Sequence, residues 1–168
     1  AGVNGFLPKP LFRSTLCRGL CRYVLGKEDA AHGRPREQRY DFSGKRILLV
    51  EDNALNREVA VELLSETAAV IDCACDGAEG VNMFAHANEG YYDLILMDLQ
   101  MPVMNGYAAT RAIRGLKRAD AGVPILAMTA DAFAEDVAAT REAGMNGHLT
   151  KPLDAAAMKR ELARFLAG

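Results

Sequence analysis

The sequence has no long hydrophobic run and no strong excess of charge of either sign. Its longest apolar stretches reach about half of the roughly 20 residues that a membrane-spanning helix requires. A formal net charge of -2 at pH 7 provides no general attraction to nucleic acid or to an anionic membrane surface. We therefore expect a cytoplasmic protein with no nucleic-acid partner and no membrane segment in this chain, which leaves open a membrane anchor elsewhere in a longer parent.

Cysteine and histidine are also sparse, and their spacing does not suit a metal or redox centre. Cys17 and Cys21 would share one face of a helix, and Cys73 and Cys75 one side of a strand. Neither pair has the C-x-x-C spacing of zinc or redox motifs, and the three histidines are not placed to complete a site. We expect four reduced, structurally ordinary thiols.

What the sequence does contain, from Lys45 onward, is a regular alternation of short apolar runs and amphipathic segments. Continuous apolar runs are typical of parallel strands that are covered on both faces. Strands are predicted at 46–50, 70–74, 94–97, 123–128 and near 148–149, and helices at 54–67, 77–88, 105–117, 132–143 and 154–167.

These ten segments predict an α/β fold with a doubly wound, five-stranded parallel sheet and five helices. Short right-handed strand–helix–strand crossovers give an open, doubly wound sheet. We expect a flavodoxin-like arrangement with strand order 2-1-3-4-5, to which an N-terminal helical extension is added. Apolar residues recur every fourth position in the first and last helices, as expected for one buried face each. They are Leu55, Val59 and Leu63 in the first helix and Met158, Leu162 and Phe165, at nearly that spacing, in the last.

Polar residues interrupt the pattern where the predicted strands end. Glu51 and Asp52 follow the first strand, Asp98 the third, Thr129 the fourth and Lys151 the fifth. In an open α/β sheet, ligands bind at the carboxyl ends of the strands, at the crevice where the strand order reverses. With the order 2-1-3-4-5, the first and third strands are neighbours, so the three carboxylates are expected to converge.

Three converging carboxylates need a cation, because a single pair about 4 Å apart costs about 4 kcal/mol at an effective dielectric of 20. Mg²⁺ suits such a site, since it binds one or two carboxylates, keeps waters and bridges to phosphate. Lys151 supplies a second positive charge, and Thr129 a hydroxyl donor for a phosphoryl oxygen. These groups favour phosphoryl transfer, with Asp98 as the nucleophile.

Four motifs in this order resemble the receiver domains of two-component signalling, especially those attached to hybrid sensor histidine kinases. The resemblance covers residues 45–168 almost continuously, and the correct spacing of all four motifs makes it specific. The motifs are LLVEDN at 48–53, LMDLQMPVMNG at 96–106, MTA at 128–130 and LTKP at 149–152.

The resemblance implies a phosphorelay function, with a phosphohistidine on a histidine kinase or histidine phosphotransfer domain as the donor. It also implies a cis peptide bond between Lys151 and Pro152. The implied roles are Asp98 as phosphoacceptor, Glu51, Asp52, Asp98 and the backbone carbonyl of Gln100 as Mg²⁺ ligands, and Thr129 and Lys151 as phosphoryl contacts.

Two positions depart from the family pattern. His148 stands where many members have a tyrosine or phenylalanine that swings inward together with the threonine hydroxyl. It is either a switch residue, as Thr129 is, or a solvated imidazole at a strand edge. Ala68 stands where the family often has glycine after the first helix, a position that favours positive φ.

The N-terminus repeats part of the C-terminal sequence. Residues 1–12 and 143–154 are identical at eight of twelve positions, which makes Lys9 the counterpart of Lys151. We therefore interpret 1–25 as the last strand and helix of a preceding receiver, 26–44 as a linker and 45–168 as the receiver domain. The parent protein is then expected to carry tandem receivers.

The predicted helix of that remnant would carry an apolar stripe whose original core is missing from this chain. We expect the stripe to dock on the intact receiver or on a second copy. A homodimer is thus a partner hypothesis, either through this helix or through the face of the fourth helix, fifth strand and fifth helix.

Two other functions compete with signalling. An aspartate-dependent phosphohydrolase would normally have a second aspartate two residues after the nucleophile, where this chain has Gln100. A receiver-fold interaction module that is not phosphorylated is the stronger alternative. No ATP-binding module is recognisable, so any enzymatic activity is expected to be limited to self-catalysed phosphorylation and dephosphorylation of Asp98, with Gln100 and Asp131 tuning the hydrolysis.

Overall fold

The structure is a computed structural model, and it describes residues 39–130 and 134–166, without the side chains of residues 134–136. The predictions for the receiver remnant at 1–25, for residues 26–38 of the linker, for Cys17 and Cys21 and for Asp131 lie outside the described residues. Among the described residues, no helix is long and apolar enough to cross a bilayer.

Five strands and five helices alternate along the described chain, as predicted. The strands are β1 (Arg46–Val50), β2 (Val70–Ala74), β3 (Leu94–Asp98), β4 (Ile125–Thr129) and β5 (Gly147–Thr150). The helices are α1 (Ala54–Leu64), α2 (Gly77–His86), α3 (Gly106–Arg114), α4 (Ala134–Ala143) and α5 (Ala155–Leu166), and a 3-10 turn (Ser65–Thr67) follows α1.

All five strands are parallel, in the order β2-β1-β3-β4-β5. The predicted fold class and strand order are therefore confirmed. Both faces of the sheet are covered, because successive residues of each central strand enter two separate clusters: Leu48 and Val50 pack with Phe84 of α2, whereas Ile47 and Leu49 pack with Leu64 of α1. This two-sided burial explains why the central strands are continuously apolar.

Polar side chains start three helices at the carboxyl edge of the sheet. Asn53 Oδ1 accepts the Leu55 N–H at 3.0 Å at the start of α1. Asp76 and Asn105 cap α2 and α3 in the same way. Each cap satisfies amide groups that have no partner inside the helix, and it thereby fixes where the helix begins relative to the strand before it.

The predicted core-facing stripe of α1 is wrong at two of its three positions. Leu55 is 66% exposed and Val59 44%, whereas the fully buried residues of the helix are Ala60 and Leu64. Leu55 and Val59 are four residues apart, and so are Ala60 and Leu64. Periodicity therefore cannot distinguish the two faces, and the prediction followed the larger side chains. Leu63, the third residue of the predicted stripe, is half-buried and packs against the same cluster as Ala60 and Leu64.

The compact unit begins at Arg39, six residues before the predicted start of the domain. Phe42 is buried in the cluster beneath α1 and α5, and its N–H donates to the Thr67 carbonyl at 2.7 Å. Residues 39–44 of the predicted linker therefore contribute to the core of the receiver fold.

Candidate functional site

The carboxyl edge of the sheet brings together the polar residues that were singled out in the sequence. Glu51 and Asp52 directly follow β1, and Asp98 is the last residue of the neighbouring β3. One carboxylate oxygen from each of the three lies within 4.8 Å of the others. Thr129, the last residue of β4, and Lys151, just after β5, line the same crevice.

Lys151 bridges two of these carboxylates. Its Nζ lies 2.7 Å from Glu51 Oε2 and 2.9 Å from Asp98 Oδ2. Glu51 is 1% exposed and Asp98 5%, so the ammonium group neutralises charge that water reaches poorly. Removing one partner of such a buried arrangement leaves an uncompensated charge.

The pKa values of Asp98 and Lys151 are both raised, although burial acts in opposite directions on the two groups. Burial raises the pKa of the Asp98 carboxyl, the nearby Glu51 carboxylate raises it further, and the Lys151 ammonium partly offsets both. For Lys151, burial alone would lower the pKa, but the hydrogen bonds to Glu51 and Asp98 raise it above the usual value. The ammonium thus stays protonated, while the acid at the end of β3 is held in an environment that disfavours its anion.

The backbone around Asp98 is set by a close approach to α3. A Cβ atom at Gly106 would collide with the carbonyl oxygen of Asp98, so only glycine permits this contact. The Gln100 N–H donates to Asp98 Oδ1 at 3.3 Å and orients the carboxylate. Gly106, the last residue of the motif at 96–106, therefore sets the spacing between α3 and Asp98.

The loop between β3 and α3 contains a strained residue. Val103 has a φ of 66° and is 87% exposed, and the Met104 N–H donates back to the Pro102 carbonyl at 2.7 Å. A β-branched residue rarely adopts positive φ, and such positions concentrate at functional sites. The result is an apolar side chain presented to solvent a few residues from Asp98.

The loop between β1 and α1 is held by two side chains that sequence reasoning missed. Arg57 Nη1 donates to the backbone carbonyls of Glu51 at 2.6 Å and Asp52 at 2.9 Å. Asn56 Nδ2 donates to Glu51 Oε1 at 3.0 Å. The available signal was the position of both residues within the first turn of the helix that follows the acidic pair.

A crevice of about 230 Å³ opens at this edge of the sheet. Its lining contains every residue predicted to act on phosphate or metal, together with three others that were not singled out. The lining residues are Glu51, Asp52, Asn53, Asn56, Asp98, Gln100, Thr129, Ala130 and Lys151.

His148, the predicted switch residue, lies away from this crevice. Its side chain is exposed on the edge strand β5 and lines a separate groove between β5 and α5. Thr129, by contrast, is buried at the end of β4. The structure therefore separates the two residues assigned to switching, with only Thr129 beside Asp98.

The donor set at the crevice fits magnesium. Three carboxylates converge, and Asp52 is exposed to the crevice while Asp98 uses one oxygen for Lys151 and the other for an amide N–H. Hard oxygen ligands beside open solvent are what Mg²⁺ prefers, because it keeps several of its waters. Cys73 and Cys75, the two thiols among residues 39–130 and 134–166, are exposed in β2 and in the bend after it and do not line this crevice.

The fold and the site together define a doubly wound α/β domain with an acidic, lysine-bridged site at the carboxyl edge of its sheet. Residues 47–163 match the response regulator receiver domain model. The chain therefore belongs to the response regulator receiver domain family, which confirms the resemblance seen in the sequence.

Solved structures of this family agree with the fold. The receiver domain of a sensor histidine kinase from Pseudomonas aeruginosa PAO1, with a magnesium ion coordinated in its active site cleft, is 38% identical. It covers 75% of this chain and 100% of its own, with a TM-score of 0.67. The receiver domain of the yeast response regulator Ssk1, crystallised with the histidine phosphotransfer protein Ypd1, is 29% identical with a TM-score of 0.66, over 75% of this chain and 91% of the matched one.

Similar full-length proteins are plant histidine kinases. A probable histidine kinase 2 of Oryza sativa is 34% identical over 86% of this chain, and histidine kinase 3 of Arabidopsis thaliana is 34% identical over 73%. This chain spans only 16% and 13% of those proteins. The similarity therefore concerns the receiver portion of a larger kind of protein.

Proposed function

We propose that this domain is the phosphoacceptor of a cytoplasmic phosphorelay, in which Asp98 receives a phosphoryl group from a phosphohistidine in a Mg²⁺-dependent reaction. The observation that carries the proposal is the Lys151 ammonium, which lies 2.9 Å from Asp98 Oδ2 within a cluster of three carboxylates. A nucleophilic carboxylate with a fixed cation beside it is suited to attack on phosphorus, where positioning and charge neutralisation supply most of the catalysis.

In the proposed reaction, an Asp98 carboxylate oxygen attacks the phosphorus of the donor. An O–P bond forms while the P–N bond breaks, and the imidazole leaves with the electron pair of that bond. The Lys151 ammonium then pairs with a phosphoryl oxygen instead of with the Asp98 carboxylate, while its contact with Glu51 keeps it in place. Thr129 is buried beside the acceptor, where its hydroxyl would donate to a second phosphoryl oxygen.

Magnesium, when bound, would neutralise the charge that builds up on the phosphoryl oxygens. Glu51, Asp52 and Asp98 would hold it through their carboxylates and Gln100 through its backbone carbonyl. Hydrolysis reverses the modification: water attacks the phosphorus, the O–P bond to Asp98 breaks, and inorganic phosphate leaves with the carboxylate restored.

The proposed donor is a histidine phosphotransfer domain or the histidine-bearing domain of a kinase. Leu55 and Val59 of α1 and Val103 in the loop after β3 are exposed apolar side chains, at 66%, 44% and 87%, on the segments that follow β1 and β3. A helical donor would bury these side chains while its phosphohistidine reaches Asp98. The likeness to a receiver crystallised with a histidine phosphotransfer protein supports this kind of partner.

The aspartyl phosphate would alter partner binding through the residues beside it. Thr129 ends β4, so movement of its hydroxyl towards the phosphoryl group would shift the loop into α4 and the face formed by α4, β5 and α5. His148 lies on that face, where an inward swing of the imidazole would complete the switch. Homodimerisation through the same face is the second proposed consequence.

The proposal is tested by incubating the protein with Mg²⁺ and acetyl phosphate and then measuring intact mass. Wild type is expected to gain one phosphoryl group, and neither Asp98→Asn nor wild type with a chelator is expected to gain any. Asp41→Asn serves as a matched control, because Asp41 is an exposed carboxylate before β1 and away from the crevice. No adduct on wild type, or equal labelling of Asp98→Asn, would favour the unphosphorylated interaction module instead.

A further inference from the structure

Asn56 contacts the site through Glu51 and lies in the first turn of α1. Its Nδ2 donates to Glu51 Oε1 at 3.0 Å, whereas the other oxygen of the same carboxylate receives Lys151 at 2.7 Å. An ionised carboxylate accepts hydrogen bonds only, so the amide must present its nitrogen rather than its oxygen to Glu51. The contact therefore has a defined direction.

We propose that Asn56 is a positioning residue for the phosphoacceptor, because it fixes the rotation of the Glu51 carboxylate and thereby the place of the Lys151 ammonium beside Asp98. The proposal rests on the proposed function only for its kinetic consequence. Its geometric part concerns the contacts of Asn56, Glu51, Lys151 and Asp98 in the protein without donor or phosphate.

Asn56 is itself held by the start of the helix. Its backbone N–H donates to the Oδ1 of Asn53, the N-cap of α1, at 3.2 Å. Side chains in a helix lean towards its N-terminus, which directs the Asn56 amide back to the strand end that carries Glu51. The spacing Glu51-Asp52-Asn53-x-x-Asn56 thus makes one continuous chain of contacts from the helix cap to the acidic pair.

Lys151 holds the Oε2 side of the Glu51 carboxylate, and two amide donors hold the Oε1 side. The hydrogen bond from the Asn53 N–H to Glu51 Oε1 is long, at 3.3 Å. The shorter bond from Asn56 is therefore the main restraint on that oxygen. Without it, the carboxylate can turn about its terminal torsion, which has broad minima. Lys151 would then follow Glu51 or remain with Asp98, and the bridge between the two acids would be lost.

The first test measures Lys151 directly, without metal or phosphodonor. Amines are labelled with an acetylating reagent under limiting conditions, and mass spectrometry gives the labelling of Lys151 relative to Lys45, which pairs with Asp93 away from the crevice. In Asn56→Ala the ratio is expected to rise roughly threefold or more, since a charge-assisted restraint on the bridge is lost. A ratio within about twofold of wild type would overturn the proposal.

Two further variants separate the hydrogen bond from packing and from helix propensity. Asn56→Leu fills a similar volume without a donor, and it is expected to behave like Asn56→Ala. Asn82→Ala makes the same substitution at an exposed position in α2 and is expected to leave the ratio unchanged. A Leu variant that labels like wild type would show that volume, not the donor, holds Glu51, and it would overturn the assignment.

The second test measures the rate of phosphorylation by acetyl phosphate at saturating Mg²⁺. Asn56→Ala is expected to be about tenfold slower than wild type, comparable to the loss of a residue that orients a metal ligand. Its urea midpoint of unfolding is expected to change no more than that of Asn82→Ala. If wild type takes up no phosphate while the labelling ratio still rises, the proposed function fails and the geometric assignment stands. If wild type is phosphorylated but neither ratio nor rate changes in Asn56→Ala, the assignment fails and the proposed function stands.

Discussion

Thr110 in α3 is fully buried, and its hydroxyl has no hydrogen-bond partner among residues 39–130 and 134–166. A buried polar group without a partner costs free energy, so an apolar replacement of similar shape is stabilising. We expect Thr110→Val to raise the free energy of unfolding by about 1 kcal/mol, measured by urea unfolding.

Thr67 provides the matched control for this prediction. It is equally buried, but its Oγ1 donates to the Leu64 carbonyl at 2.7 Å. Thr67→Val should therefore lower the free energy of unfolding by about 1 kcal/mol. Equal changes of the same sign in the two variants would contradict the account of both hydroxyls.

Residues of the site were predictable where their chemistry depends on where a strand ends. Asp98 and Lys151 could be placed because polar residues that end parallel strands meet at one edge. Asn56 and Gly106 could not, because their roles depend on contacts with Glu51 and with the Asp98 carbonyl that no periodicity records. Ala68 is an intermediate case, because the sequence predicted a position that favours glycine but gave no conformation. The structure gives Ala68 a φ of 59°.

The long loop between α3 and β4 is attached to α2 by one arginine. Arg118 donates from Nη1 to the carbonyls of Ala85 at 3.0 Å and Ala87 at 2.8 Å, and it forms a two-bond ion pair with Asp120. The guanidinium also lies 5.0 Å from the centre of the Phe84 ring. Asp120 in turn accepts the Gly90 N–H at 2.8 Å, so two connecting segments are joined at the amino edge of the sheet.

This network predicts a defined loss of stability in acid. The hydrogen bond from Arg118 lowers the pKa of Asp120 to about 2, from a usual 3.8. A carboxyl group with a depressed pKa in the folded state stabilises the protein above pH 3.8, and this stabilisation disappears as the pH falls towards 2. With allowance for its partial exposure, the contribution is at most about 2 kcal/mol.

Urea unfolding of wild type and Asp120→Asn across this pH range tests the prediction. The variant is expected to be less stable than wild type near neutral pH, and the difference should shrink as the pH falls from about 4 to about 2. A difference that stays constant down to the lowest pH would mean that the Asp120 carboxylate does not carry the effect.

The helices and strands themselves were largely predictable, and the misses have physical causes. The prediction for α1 ran to residue 67, but the chain tightens into a 3-10 turn at Ser65 before the left-handed Ala68. The prediction for α3 ran to residue 117, whereas the helix ends at Arg114 and Gly115 caps it. In α3 the apolar pattern continues past this point with Leu116.

Across the whole domain, the three carboxylates predict that magnesium stabilises the fold. A ligand that binds only the folded protein raises the free energy of unfolding by about 2.7 kcal/mol at a concentration of 100 times its dissociation constant. We expect added MgCl₂ to raise the urea midpoint of wild type, because the ion relieves the repulsion between Glu51, Asp52 and Asp98.

The Asp52→Asn variant is the control for this effect. It removes the exposed member of the cluster, so MgCl₂ should stabilise it far less than wild type. NaCl at about three times the concentration, which matches the ionic strength of MgCl₂, separates general screening from binding. Equal stabilisation of wild type and Asp52→Asn by MgCl₂ would argue against a magnesium site at this crevice.

The fold of the whole domain was the most predictable property. Five apolar runs of similar length, each followed by an amphipathic segment, leave few other arrangements once crossovers must be right-handed. The start of the domain was less predictable, because Phe42 contributes to the core from a segment whose polar composition is typical of a linker. The burial of one aromatic ring places this segment in the domain although its other residues are mostly polar.

The Lys151–Glu51 ion pair also bears on how the protein is made. Its two residues are 100 positions apart in the chain, so during synthesis the acidic end of β1 leaves the ribosome long before its cation. Until β5 is translated and pairs with β4, Glu51 and Asp98 have no lysine between them, and burying both would be unfavourable. We therefore expect the nascent chain to keep this edge of the sheet open to water, so that the crevice around Asp98 forms last.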